Sequence, residues 1–330
     1  MHPWTPDILV DLDEAGRALG HDLHQLSQIP RQDGWPAPVR QGFDAAAHLA
    51  CQARQAGRSH LHHRRHADRF TAKWLQLRLN AWRRQRAVAA DVTPQLLREL
   101  DVDRCPVTRE WLTHGTLQDT DASVDRLNND AAYAASNLAV MSVRANRAKG
   151  ALNFAQVLAR AESATATEGL TPAEWLRLAV LMLGPCHATR PHEAPALPLC
   201  VPLPVHAVRL ALQQVQRLFT EHCQRPAGKN RLLREFAGAC RSDTARLRLM
   251  ALGQAVHEGL KHTDDRWDVW LQPTVMTALL RWREALDEAD WAHAAALSGR
   301  LSHARRETPE RLRLWQLPTR GFMPLPSFPS

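Results

Sequence analysis

The stretch CPVTREWLTHGTLQDTDASVDRLNNDAAYAASNLAVMSVRANRAKG, residues 105–150, decides how this chain is read. Asp, Asn, Thr and Gly crowd its turn positions, and two short apolar pieces, ASVDRL and NLAVMSV, stand between them. Each piece is too short for a good helix and is bounded by turn formers, which predicts two strands. The following VRANRAKG has helical composition, and the expected helix continues into ALNFAQVLARAE.

Upstream, a helix is expected near residues 11–25, followed by IPRQDGWPAPVRQG, where Pro30, Pro36 and Pro38 oppose a continuous helix. Residues 43–88 lack proline, are rich in Ala, Leu, Gln and Arg, and read as helical, with Leu75, Leu79 and Trp82 on one face and Trp74 widening it. Thr93 before Pro94 is an N-cap and first-turn pair for a short helix. Downstream, Thr171-Pro172-Ala173-Glu174 is a capping box that opens WLRLAVLMLG. Residues 184–204 hold six prolines in 21 positions, which predicts a linker. Helices are expected at about 205–223, 228–240, 243–261, 273–299 and 303–316, with Trp267, Trp270, Trp282, Trp291 and Trp315 as core or interface anchors.

Bulk properties narrow the class. The chain has 330 residues, enough for two or three compact units. No apolar run approaches the roughly 20 residues of a membrane span. The start, MHPWTPDILVDLDEAG, lacks the basic patch and apolar core of a secretory leader. Six cysteines without a C-x-x-C pair point to reduced thiols in a cytoplasm. The formal charge of +8 favours a polyanionic partner, although all but four of the 42 basic residues are arginine, a bias that genome composition also produces.

Residues 105–150 resemble a branch of HNH-type (ββα-metal) nucleases common in phages and bacteria. The resemblance rests on Cys105-Pro106-Val107 and Leu112, then Ala122, Ser123, Asp125 and Arg126, then Tyr133, Asn137, Ser142, Arg144, Asn146 and Lys149. It implies a hairpin packed on a helix, with Asp125 and Asn146 as ligands of one divalent cation. Oxygen ligands suit Mg²⁺ or Mn²⁺. It further implies that Asn137 ties the loop back through hydrogen bonds, and that Arg144, Arg147 and Lys149 reach phosphates. The chain departs from the pattern at Asn128, where the family has a second acid, and at Ala132, where it has glycine. Arg126 occupies the position at which typical HNH enzymes carry a histidine general base, and a guanidinium cannot take a proton from water. His114, upstream in a loop, is the substitute base to consider. Cys105 has no zinc-knuckle partner and reads as a buried thiol.

A second feature is residues 54–86, with ten Lys or Arg against the single acid Asp68, plus His60, His62, His63 and His66. This density fits a surface for the nucleic-acid backbone, with Arg64, Arg65, Arg78, Arg83, Arg84 and Arg86 as contacts. A solvated helix face paired with acids elsewhere is the bland alternative.

The expected fold is mainly α, with a small ββα-metal (HNH-like) module in the first half and a helical C-terminal domain. Its segments are 1–100, 101–160, a helix and linker over 161–203, a helical domain over 204–317, and a flexible tail over 318–330. The expected function is a metal-dependent DNA endonuclease, with Asp125, Arg126, Asn137 and Asn146 at its centre and no membrane partner. The alternatives are a non-catalytic DNA-binding protein on the same scaffold, and an interaction subunit of a phage-defence or mobile-element complex whose C-terminal helices dock a partner or a second copy.

Overall fold

The computed structural model describes residues 12–58, 66–302 and 309–323. The chain is mainly helical, with one two-stranded sheet among the described residues. It divides into two compact units. Of the described residues, the first unit holds 12–58, 66–101, 129–138 and 309–323, and the second holds 102–128, 139–302.

In the first unit, α1 (Leu12–Leu26) and α2 (Ala37–Gln55) meet at two glycines. A Cβ on Gly20 would lie 1.9 Å from the Val39 carbonyl oxygen, and one on Gly42 the same 1.9 Å from that of Arg17. Only glycine permits backbones that close. α2 starts inside the proline-rich stretch because Pro38 falls in the first turn, where a missing N–H costs nothing. α3 (Arg69–Arg83) is capped by Asp68 and brings Leu75 and Leu79 to a core with Leu19, Leu23, Trp35, Val39 and Phe43. At α4 (Pro94–Glu99), Thr93 Oγ1 accepts the Leu96 N–H at 3.1 Å, as its sequence signature predicts.

The tail corrects one expectation. Trp315, in the helix Pro309–Trp315, accepts the Ala132 N–H at 2.9 Å, and Gly321 accepts that of Ala87 at 3.0 Å. Met323 N–H in turn donates to Gln85 at 2.8 Å. Residues 318–323 are therefore tied to the first unit by backbone hydrogen bonds rather than free; 324–330 lie outside the described residues.

In the second unit, β1 (Ala122–Arg126) pairs with β2 (Leu138–Ser142), whose residues from Ala139 onward belong here. Both strands fall where the apolar pieces predict them. α5 (Val143–Lys149) follows β2 directly, with Ser142 as its N-cap. The helix does not run on into the next one as expected. Gly150, at φ +46°, ends it, and α6 (Phe154–Ala161) restarts from an Asn153–Gln156 capping box. α7 (Pro172–Cys186) opens on the Thr171–Glu174 box. α8 (Ala211–His222), α9 (Pro226–Ala237), α10 (Asp243–Gly259), α11 (Pro273–Glu284) and α12 (Glu288–Leu301) complete the unit. The helix expected over 273–299 is two helices, because Asp287 caps a new start.

Two further corrections concern organisation. The segment expected as a linker is packed: Leu199, Cys200 and Val201 are buried, and Gln216 donates to the Leu197 carbonyl at 3.2 Å. Cys105, Val107, Leu127 and Met141 share one core with Trp175, Phe219, Trp270 and Trp282, so 101–160 and 204–302 are not separately cored. Two five-residue strands and a seven-residue helix bury too little apolar surface to stand alone. Arg109 reinforces the union with a forked contact to Asp268 at 2.6 and 2.5 Å.

Candidate functional site

Side chains two apart on a strand share a face, so Ser123 and Asp125 project together from β1. Residues three apart on a helix are neighbours, so Asn146 and Lys149 do the same from α5. The two faces meet within the second unit. Asn146 Nδ2 donates to Ser123 Oγ at 2.7 Å. Lys149 Nζ donates to the Arg126 carbonyl at 2.7 Å and stands 2.8 Å from Asp125 Oδ2. That last contact lies outside hydrogen-bond geometry, so it is an ion pair rather than a directed bond. The Lys149 side chain is 0% exposed and that of Asp125 12%. A buried ammonium needs a carboxylate and a carbonyl to replace its water, and Lys149 has both.

The expected ligands Asp125 and Asn146 are thus brought to one strand–helix junction, and each is held by a partner. Ser123, which bonds Asn146, is part of the pattern behind the resemblance but was given no role at the site. Its signal was its position two residues before Asp125. Asn137 is fully buried in the first unit, where its Nδ2 donates to the Ala132 carbonyl at 2.9 Å, the loop tie that the resemblance implies.

Cys105 anchors the approach to α5. Its buried Sγ accepts the Thr108 N–H at 3.4 Å and the Ser142 N–H at 3.2 Å, so the thiol pins the start of the helix to the turn at 105–108. The loop before β1 is organised by Asp121. Oδ1 accepts from Thr113 Oγ1 (2.7 Å), Thr116 Oγ1 (2.7 Å) and Thr116 N (3.2 Å), and Oδ2 from Leu117 N (2.7 Å). The Thr113 and Thr116 hydroxyls, with the backbone donors, lower its pKa to about 2. His114 lies exposed on this loop.

The expected phosphate contacts divide. Lys149 is corrected: buried beside Asp125, it cannot reach a phosphate. Arg144 is engaged by Glu174 at 2.7 Å, Glu110 at 3.3 Å and the Gly169 carbonyl at 2.9 Å. Arg147 is exposed and pairs at the surface with Asp119 at 2.9 Å. In the first unit, Arg78 is half-buried against Asp22 and stacks on Trp74, and Arg86 stacks on Phe322 while bonding the Arg320 carbonyl. Arg83 and Arg84 are exposed, whereas Arg64 and Arg65, with His60, His62 and His63, lie outside the described residues. An exposed Trp111 carrying the Arg104 guanidinium 4.3 Å from its ring centre is a further cationic surface feature, in the second unit, that composition did not single out.

The oxygens that the junction could offer a divalent cation are those of Asp125 and Asn146. Asn146 spends its amide N–H on Ser123 and keeps Oδ1, and Lys149 meets Asp125 at Oδ2, leaving the other oxygen. Among the described residues no group of three His, Cys, Asp or Glu could hold a metal ion. The donors suit a largely hydrated Mg²⁺ or Mn²⁺ in kind, with one carboxylate in the set, and not an all-protein cage. No helix among the described residues is long and apolar enough to cross a membrane. No protein-family model matches the chain, and neither a curated protein nor a solved structure matches it.

Proposed function

We propose that the chain is a divalent-metal-dependent DNA endonuclease that works at the junction of β1 and α5, on an HNH-like ββα scaffold. The observation that supports this reading is that one strand–helix junction holds Asp125 and Asn146, with Asn146 tied to Ser123. Asp125 and Asn146 are the two positions at which the resemblance sets its ligands. A bound cation would neutralise charge on the scissile phosphate and on the leaving oxygen. The chain's own residues do the rest. Ser123 Oγ accepts one amide N–H of Asn146 and so fixes the orientation of its side-chain amide. Lys149 fixes the Asp125 carboxylate from below. Arg126 offers a guanidinium, which attracts a phosphate and is not a base.

A non-catalytic DNA-binding protein on the same scaffold is the second reading. The Lys149–Asp125 pair favours it, since a resident ammonium already balances the carboxylate. Asp125→Ala and Asn146→Ala separate the two. If the chain is a nuclease, both variants lose divalent-dependent nicking of supercoiled plasmid while DNA retention in a filter assay stays close to wild type. Nicking retained by both variants removes the site assignment.

A further inference from the structure

Lys149 is the one charged side chain at the junction with no exposure at all, and its ammonium faces Asp125 Oδ2 at 2.8 Å. The Arg126 carbonyl accepts from it at 2.7 Å, so moving the charge away breaks this bond and takes the counter-ion from a nearly buried carboxylate. Its neighbour one turn earlier, Asn146, is neutral and brings no compensating charge. Asp125 and Lys149 together are electrically neutral, and a dication placed on the second Asp125 oxygen meets the ammonium across the same carboxylate.

We infer that Lys149 is a built-in competitor for the divalent cation: its ammonium holds Asp125 in the metal-free protein and keeps metal affinity low. This rests on the ligand assignment of the preceding reading. Removing a unit positive charge a few ångströms from a ligand oxygen shifts divalent affinity by at least about tenfold, even at the screened dielectric of a partly open site.

The test uses the full chain, Mn²⁺ alone as probe, no nucleic acid, and thermal melting as readout. Lys149→Gln keeps a donor for the Arg126 carbonyl and removes the charge. In EDTA it melts below wild type. Mn²⁺ then raises its melting temperature more than that of wild type, with a half-maximal concentration lower by at least about tenfold. Asp125→Asn combined with Lys149→Gln abolishes that response. Should Lys149→Gln be unfolded in EDTA, recovery of its helical circular dichroism on adding Mn²⁺ is the same positive result, and no recovery is the same refutation. A Mn²⁺ response in Lys149→Gln no stronger than in wild type, or one that survives Asp125→Asn, overturns the inference. Tight Mn²⁺ binding by Lys149→Gln without nicking by wild type sinks the nuclease reading alone, and nicking by wild type with unchanged Mn²⁺ affinity in Lys149→Gln sinks this inference alone.

Discussion

Asp121 accepts four hydrogen bonds, from the Thr113 hydroxyl, the Thr116 hydroxyl and amide and the Leu117 amide, and its carboxyl is lowered from 3.8 to about 2. A depressed folded-state pKa gives stability that is fully present above the unfolded value and disappears as pH falls through the folded one. Asp121→Asn is therefore expected to melt below wild type at neutral pH, with the difference closing as pH falls from about 4 toward 2. A difference that stays constant across that window means the carboxylate charge is not what holds the loop. Arg126 carries the second prediction at this scale. Under the nuclease reading, Arg126→Ala slows cleavage by about 10²–10³-fold, by analogy with removing one charge-stabilising donor. The shape of the pH–rate profile is unchanged, because the guanidinium is not the base. A displaced limb in that profile contradicts the assignment. The resemblance implied that Asp125 and Asn146 lie in one neighbourhood, and helical spacing set Lys149 one turn from Asn146. Neither could show that Lys149 points inward, because charged side chains are almost always exposed unless paired, and pairing is a fact of three dimensions. In the same way Asp121 reads as an ordinary turn acid until Thr113 and Thr116 converge on it.

At the level of elements, capping chemistry was the most legible signal. Thr93-Pro94, Thr171-x-x-Glu174 and the two apolar pieces each start an element where the residues predict it. The breaks inside helical stretches were harder, although their signals were present. Gly150 and the Asn153-x-x-Gln156 box sit in a run of good helix formers, as does Asp287, and composition outweighed punctuation there. The α7 start supports a quantitative expectation. Thr171 Oγ1 accepts the Glu174 N–H, and Glu174 returns a bond to the Thr171 N–H at 2.8 Å while holding Arg144. Thr171→Ala leaves one orphan amide at an exposed helix start and is expected to destabilise by about 1 kcal/mol in urea titration. Glu174→Ala, which also takes one of two carboxylate partners from Arg144, costs more. Equal losses for the two variants would show that Arg144 draws nothing from Glu174.

For the whole molecule, proline density suggested an independent C-terminal domain, and the structure shows why it misled. Prolines between 184 and 204 do shape an irregular segment, but its Leu199, Cys200 and Val201 are apolar and go into the core. Which strands and helices share that core depends on contacts far apart in sequence, such as Arg109 with Asp268, and no local pattern encodes them. A fragment ending at Leu183 lacks Phe219, Trp270 and Trp282 from the core that Val107, Met141 and Trp175 belong to. It is expected to aggregate or to melt without cooperativity, and a soluble fragment with a sharp transition contradicts the shared core. The central claim, that the β1–α5 junction cuts nucleic acid, is tested most directly by incubating the full chain with supercoiled plasmid in Mg²⁺, in Mn²⁺ and in EDTA, and following open-circle product over time. The account predicts nicking with either cation and none in EDTA. Plasmid that is bound yet stays supercoiled at every divalent concentration would contradict it.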